Sequence, residues 1–220
     1  MFLLCGIFLD SHPLIINFRF FIRTNLQHLQ EIEIPKLIKY IKKHVLLKMG
    51  IAVPRISTRG YYDLSTGKTL KTNSYFLYPK KSFDNLSSSK EVTIMIHGLR
   101  NDNAGAIAKV VLAKNRLKKL GYSHPVIGYS YDSNTTGAHL LKHAKHSLAV
   151  GQIIAKKNGQ NLGKFIEDFK IKNPKIKIRL IGHSLGSQVI LSTVEYLSKK
   201  KQNKGIIESI YFFGASITED

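Results

Sequence analysis

Residues 176–200 read IKIRLIGHSLGSQVILSTVEYLSKK, and this stretch decides the fold. Its opening, Ile176–Ile181, has the pattern of a short β-strand, and Leu185–Lys200 has the pattern of a helix. At the join stands Gly182-His183-Ser184-Leu185-Gly186, a G-x-S-x-G sequence. A serine on a sharp strand-to-helix turn must take strained backbone angles. The flanking glycines remove side chains that would collide with the neighbouring strand and helix. Such a turn lifts the hydroxyl above the carboxyl edge of a sheet. It also aims the first amides of the helix, beginning with Leu185, at the place where an oxyanion would develop. With Gly and Ser each at about 7% of residues, the bare pattern arises by chance with a probability of roughly 0.07 in a chain this long. Requiring a strand before it and a helix after it makes accident much rarer.

Working outward, the same alternation of strand and helix continues in both directions. Val92–Ile96 (VTIMI) reads as a strand buried on both faces, and it runs into His97-Gly98-Leu99-Arg100. A His-Gly pair at such a strand end lets the chain bend over the same sheet edge and present a second amide, the N–H of Leu99. Ala104–Leu120 is helical and stops at Gly121, and Val126–Tyr131 is a further strand. Gly137 to Lys172 reads as a helical region in two pieces, and Ile206–Phe213 as a last strand. Arg55–Asp63 and Leu70–Tyr78, separated by STGK, predict an opening hairpin. Strands separated by helices of this length need crossover connections. The expected fold is therefore a three-layer α/β/α sandwich around a mostly parallel sheet.

From about Arg55 onward the chain resembles the α/β-hydrolase superfamily, and the GHSLG form is similar to that of its lipase and esterase members. Tyr129–Ser133 (YSYDS) loosely resembles microbial lipase-like members. The resemblance implies acyl-ester hydrolysis with Ser184 as nucleophile and the N–H groups of Leu185 and Leu99 as oxyanion donors. It implies no cofactor and no metal, and a small-molecule or lipid acyl ester as substrate. In this superfamily the acid and the histidine follow the serine in chain order. Glu219 or Asp220 is the expected acid. No histidine follows His183, and His183 itself occupies the variable position of the elbow, where a side chain turns away from the serine oxygen. The sequence therefore predicts a domain that lacks the last strands and an impaired Ser184. The rival expectation is a non-catalytic, basic binding domain derived from the same fold.

Other polar residues fall near the same edge. Asp132 and Asn134 follow the strand ending at Tyr131, and Arg100 and Asp102 lie in the His-Gly loop. All four are candidates for positioning a substrate, against a plain role in forming turns. His139, His143 and His146 have i, i+4, i+7 spacing, which would place them on one helix face. Solvated histidines are the simpler reading, against a metal site or a proton relay. His124 precedes Pro125 at a strand entry and reads as structural.

Composition bounds the rest. Of the 220 residues, 43% are hydrophobic, enough to build a core, and the single cysteine, Cys5, excludes an internal disulfide framework. The balance of 34 Lys and Arg against 14 acids gives a net charge of +20. Only seven of the 34 are Arg, and the lysines are scattered, which argues against nucleic acid as the partner. Residues 1–50 read as an extension whose stretch from Pro35 to Met49 forms an amphipathic basic helix. Met49 is an alternative start. Without a secretory pattern or an apolar run of spanning length, the expected location is the cytoplasm, with contact to a membrane or another anionic surface. An uncovered last strand also predicts a homodimer through that edge.

Overall fold

The computed structural model describes residues 53–72 and 75–215. The expected amphipathic helix within residues 1–50, and both Glu219 and Asp220, lie outside the described residues.

Six strands form one sheet: β1 (Arg55–Ser57), β2 (Phe76–Tyr78), β3 (Glu91–Ile96), β4 (Val126–Ser130), β5 (Lys177–His183) and β6 (Ser209–Phe213). Their spatial order is β2-β1-β4-β3-β5-β6. The β1–β2 pair is antiparallel and the other neighbours are parallel. The helices are α1 (Lys81–Asp84), α2 (Asn103–Lys119), α3 (Ala144–Lys172) and α4 (Gly186–Ser198). The expected mostly parallel α/β sandwich is thus present.

The sequence pattern explains which strands sit in the middle. Every residue of β3 and of β4 is buried, as central parallel strands covered on both faces require. On one face Met95, Val126 and Ile181 meet Val110 of α2. On the other, Ile94, Ile96, Tyr129 and Leu180 join Ile154, Leu162, Phe165 and Ile190 of α3 and α4 in the larger core. β3 and β5 run side by side in register from Glu91↔Lys177 to Ile96↔Gly182. Their carboxyl ends therefore open onto the same edge at the same height, and the His-Gly loop and the elbow emerge as neighbours.

Three expectations change in detail. The helical region after β4 is one helix of 29 residues preceded by a short 3-10 turn at Leu141–His143, not two pieces. Its glycines do not break it because Gly159 and Gly163 lie against Ser192 and Tyr196 of α4, leaving no room for side chains. The close helix contact offsets the usual cost of helical glycine. The opening hairpin keeps only three residues in each strand. The chain between them turns through a small loop in which Asp63 N–H donates to Lys68 O at 2.9 Å and Gly67 N–H to Asp63 O at 2.8 Å. The last strand begins at Ser209 rather than Ile206, and its Tyr211, Phe212 and Phe213 are exposed at the sheet edge.

Candidate functional site: the elbow and the loop above it

Ser184 follows the last residue of β5 and has φ of 52°, the left-handed region that costs a serine roughly 1–3 kcal/mol. The surroundings leave it no alternative. A Cβ on Gly182 would come within 2.8 Å of Ile190 Cδ1 and 3.0 Å of the Ser187 backbone. One on Gly186 would meet the carbonyl oxygens of Ile96 at 2.5 Å and His97 at 2.9 Å. The helix start is thus pressed against the end of β3, and only glycine fits. The Ser184 N–H donates to Phe213 O at 2.9 Å and the Ser187 N–H to Ser184 O at 3.0 Å, so the strained residue is tied to β6 on one side and α4 on the other. The Ser184 side chain is half-buried rather than enclosed, and its hydroxyl has no hydrogen-bond partner among the described residues.

The His97–Arg100 loop crosses directly over this corner. A Cβ on Gly98 would fall 2.8 Å from Ser184 Cβ and 2.9 Å from His183 O. The orientation of the Gly98–Leu99 peptide is fixed from behind. Its carbonyl accepts from Asn101 Nδ2 at 2.9 Å and lies 3.0 Å from His97 Nδ1. Because the peptide is planar and trans, a carbonyl held on one side turns the Leu99 N–H to the other. Neither the Leu99 nor the Leu185 N–H donates to another group among the described residues. The two leucine side chains converge on Gly151 of α3, where a Cβ would meet Leu99 Cδ1 at 2.7 Å and Leu185 Cδ2 at 3.0 Å. Both side chains are therefore anchored on α3.

His97 is a structural residue of this loop. Its ring is fully buried and stacks on Tyr131, with centroids 4.7 Å apart and planes 9° from parallel. The Tyr131 N–H donates to Nε2 at 3.3 Å, and a guanidinium nitrogen of Arg59 lies 3.4 Å from the same atom. Two donors on Nε2 assign the proton to Nδ1, which donates to Gly98 O. Burial, reinforced by the positive charge of Arg59, pushes the His97 pKa down to about 3, so the ring stays neutral.

Arg59 escaped the reading of the sequence. Its Nε donates to Ser130 Oγ at 2.7 Å, and one terminal nitrogen donates to Asn101 O at 3.0 Å and Asp102 O at 2.9 Å. Burial lowers its pKa from the ordinary value, opposed by the charges of Asp132 and Asp102. Arg59 thus ties β1, β4 and the loop above Ser184 together. An Arg ahead of a glycine at a strand end carries no signal for this. Asn101 and Ser133 were missed for the same reason. Ser133 Oγ donates to Asn101 O at 3.1 Å, and the Arg100 N–H donates to Ser133 O at 2.9 Å.

The remaining candidates are placed as follows. Asp132 is buried and spends its carboxylate on three amides: Gly60 N–H on Oδ1, and Tyr61 and Tyr62 N–H on Oδ2, all at 2.9–3.0 Å. This is the turn-holding alternative, not a group free to meet a substrate. Asp102 caps α2, accepting from Gly105 N–H at 2.7 Å, which is the preferred N-cap role. Asn134 lies 2.9 Å from His139 Nε2 through its Oδ1. Arg100 has φ of 63° and an exposed side chain. The His183 ring lies beside Gly98, 3.2 Å from a Cβ placed there, and its Nδ1 is buried without a hydrogen-bond partner. Burial, with the charge of Lys109, holds its pKa below the ordinary value.

His139, His143 and His146 do not share a helix face, because α3 starts only at Ala144. His139 bonds Asn134, and His146 Nε2 lies 3.2 Å from Ser65 O. Among the described residues no group of three or more His, Cys, Asp or Glu could hold a metal ion. No described helix is long and apolar enough to cross a membrane.

A family profile described as a protein of unknown function (DUF726) matches residues 140–220, a stretch that contains α3, the elbow, α4 and β6. No curated protein and no solved structure matches the chain.

Proposed function

We propose that this domain is a serine hydrolase of the lipase and esterase type, acting on acyl esters through Ser184. The observation that supports the reading is the serine itself: a non-glycine residue at φ of 52°, between glycines that cannot be replaced, at a partly exposed position. Strain of this kind persists only where the surroundings over-determine it, and it concentrates at functional sites. The N–H groups of Leu185 and Leu99 are the oxyanion donors. Such donors, fixed in place before reaction, are worth roughly 10²–10³ in rate each.

The chemistry assigned to Ser184 is attack by its Oγ on the ester carbonyl, with its proton passing to solvent water and the developing oxyanion received by the two amides. Collapse then breaks the bond to the alcohol oxygen, which leaves with a proton from water, and the acyl-serine remains. The hydroxyl proton needs an acceptor, and no described imidazole bonds Ser184. A serine without a paired base keeps oxyanion stabilisation and binding but loses most of its activation. Acylation is therefore expected to be slow.

A fluorophosphonate probe tests the reading. Labelling of the wild-type chain over hours, and none of Ser184→Ala, is the expected result. No labelling of either, with both folded by circular dichroism, overturns it in favour of the non-catalytic basic binding domain.

A further inference from the structure

We infer that the turn Leu140–Leu141, with Lys142 and Lys145 beside it, is a docking point for an anionic lipid bilayer, seated on the same rim as Ser184. Leu140 is 51% exposed and Leu141 93% exposed. Single exposed leucines are ordinary. An adjacent pair at the tip of a turn, with two exposed lysines within five residues, is not, since water gains nothing from it. His139, Lys142, His143, Lys145 and His146 around the pair are all exposed.

Charge complementarity selects the occupant. From Asn103 to Ile166 the chain carries ten Lys and Arg and a single acid, Asp132. That one carboxylate is buried on three backbone amides, so this stretch, which comprises α2, β4, the turn and most of α3, contributes no negative charge of its own to the surface. The like charge of this stretch disfavours a second copy paired turn to turn. Nucleic acid would satisfy the lysines but leave two leucines in water. A bilayer with anionic headgroups meets both: leucines enter the acyl boundary while lysines stay at the headgroups.

Position gives the docking point its use. The Arg100 N–H donates to Ser133 O, so the segment leading to the turn leaves from beside the loop above Ser184. Thr135 Oγ1 donates to Ser147 O at 2.9 Å and Ser147 Oγ to Thr136 O at 2.7 Å, which fastens that segment to the first turns of α3. Gly151, on which Leu99 and Leu185 pack, lies about 10 Å along α3 from its start at Ala144. A bilayer touching the turn therefore comes within reach of the serine. The inference does not depend on Ser184 being acylated, because vesicle binding is read without turnover.

Flotation of the full chain with vesicles tests it. The wild-type chain is expected to float with phosphatidylcholine vesicles containing about 30% phosphatidylserine and to remain behind with phosphatidylcholine alone. Leu140→Ser/Leu141→Ser is expected to lower partitioning to the anionic vesicles at least tenfold. Lys142→Ser/Lys145→Ser is expected to lower it about fivefold per lysine. Lys118→Ser/Lys119→Ser, away from the turn, should change it less than twofold. Ser184→Ala should float like wild type, and a wild-type chain that floats but takes no probe would count against the hydrolase alone. The inference is overturned if the leucine pair changes nothing, if neutral and anionic vesicles bind equally, or if the α2 lysines matter as much as those of the turn. Tight binding of single-stranded DNA that depends on Lys142 and Lys145 but not on the leucines would likewise overturn it.

Discussion

Among the described residues Ser184 and Arg100 are the two non-glycine residues with positive φ, at 52° and 63°, and each follows one of two adjacent parallel strands. They are held in opposite ways. The elbow is fixed by main chain against main chain: Gly182, Gly186 and Gly98 bring backbones so close that a methyl group would not fit. The loop at Arg100 is fixed by side chains from elsewhere in the sequence: Arg59 from the end of β1, Ser133 from beyond β4, and the buried His97 and Asn101 within the loop. A corner made by the absence of side chains resists almost any substitution. One made by a polar network can be loosened by degrees.

The largest effect should come from breaking the corner. Gly186→Ala places a carbon 2.5 Å from Ile96 O, against backbone that cannot rotate away. A loss of about 3–5 kcal/mol in urea unfolding is expected. A loss below about 1 kcal/mol would mean that the two strand ends are less tightly pressed together than described.

The loop should reveal itself next, through pH. The His97 pKa falls from 6.5 unfolded to about 3 folded, so below pH 6.5 the unfolded chain binds a proton that the folded one refuses. The stability contributed by the neutral ring is fully present above pH 6.5 and is lost as pH falls toward 3, at about 1.4 kcal/mol per unit. Unfolding between pH 7 and pH 5 should show this slope in the wild-type chain and a shallower one in His97→Asn. Equal slopes would remove His97 from the network.

The smallest effect should be positional. Arg59→Met keeps an unbranched apolar stem but removes the guanidinium and releases the carbonyls of Asn101 and Asp102. Probe labelling of Ser184 is expected to slow about tenfold, since small misplacements near a reacting group are costly, while the elbow keeps its shape. Arg59→Lys should recover part of the rate, as an ammonium can satisfy one carbonyl but not the fork. If Arg59→Met slows labelling no more than an exposed lysine substitution does, the loop does not depend on its polar ties.

The same contrast explains what could be read in advance. GHSLG was legible because close backbone packing demands glycine at fixed spacing, and VTIMI because strands covered on both faces must be apolar throughout. The two-sided burial of β3 and β4 then fixed the sandwich. Arg59 was not legible, because an arginine looks the same in a sequence whether it is solvated or spans three elements. The two readings of Asp132, substrate positioning and turn forming, stay open in the sequence for a related reason: a carboxylate at a strand end has the same letter whether it faces a cleft or closes a turn with three amides. The continuity of α3 was obscured by its glycines, whose partners Ser192 and Tyr196 lie on another helix that periodicity alone cannot pair with it.

α3 is 29 residues long, about 43 Å at the usual rise, and along its second half bare backbone beds on α4. Its first half is seated too, with Val150, Ile154 and Ala155 in the core, and Gly151 is where it bears on both Leu99 and Leu185. A shift of α3 at Gly151 would be delivered to Leu99 and Leu185 in the same stroke, so the loop after β3 and the turn after β5 are geared together rather than adjusted one at a time.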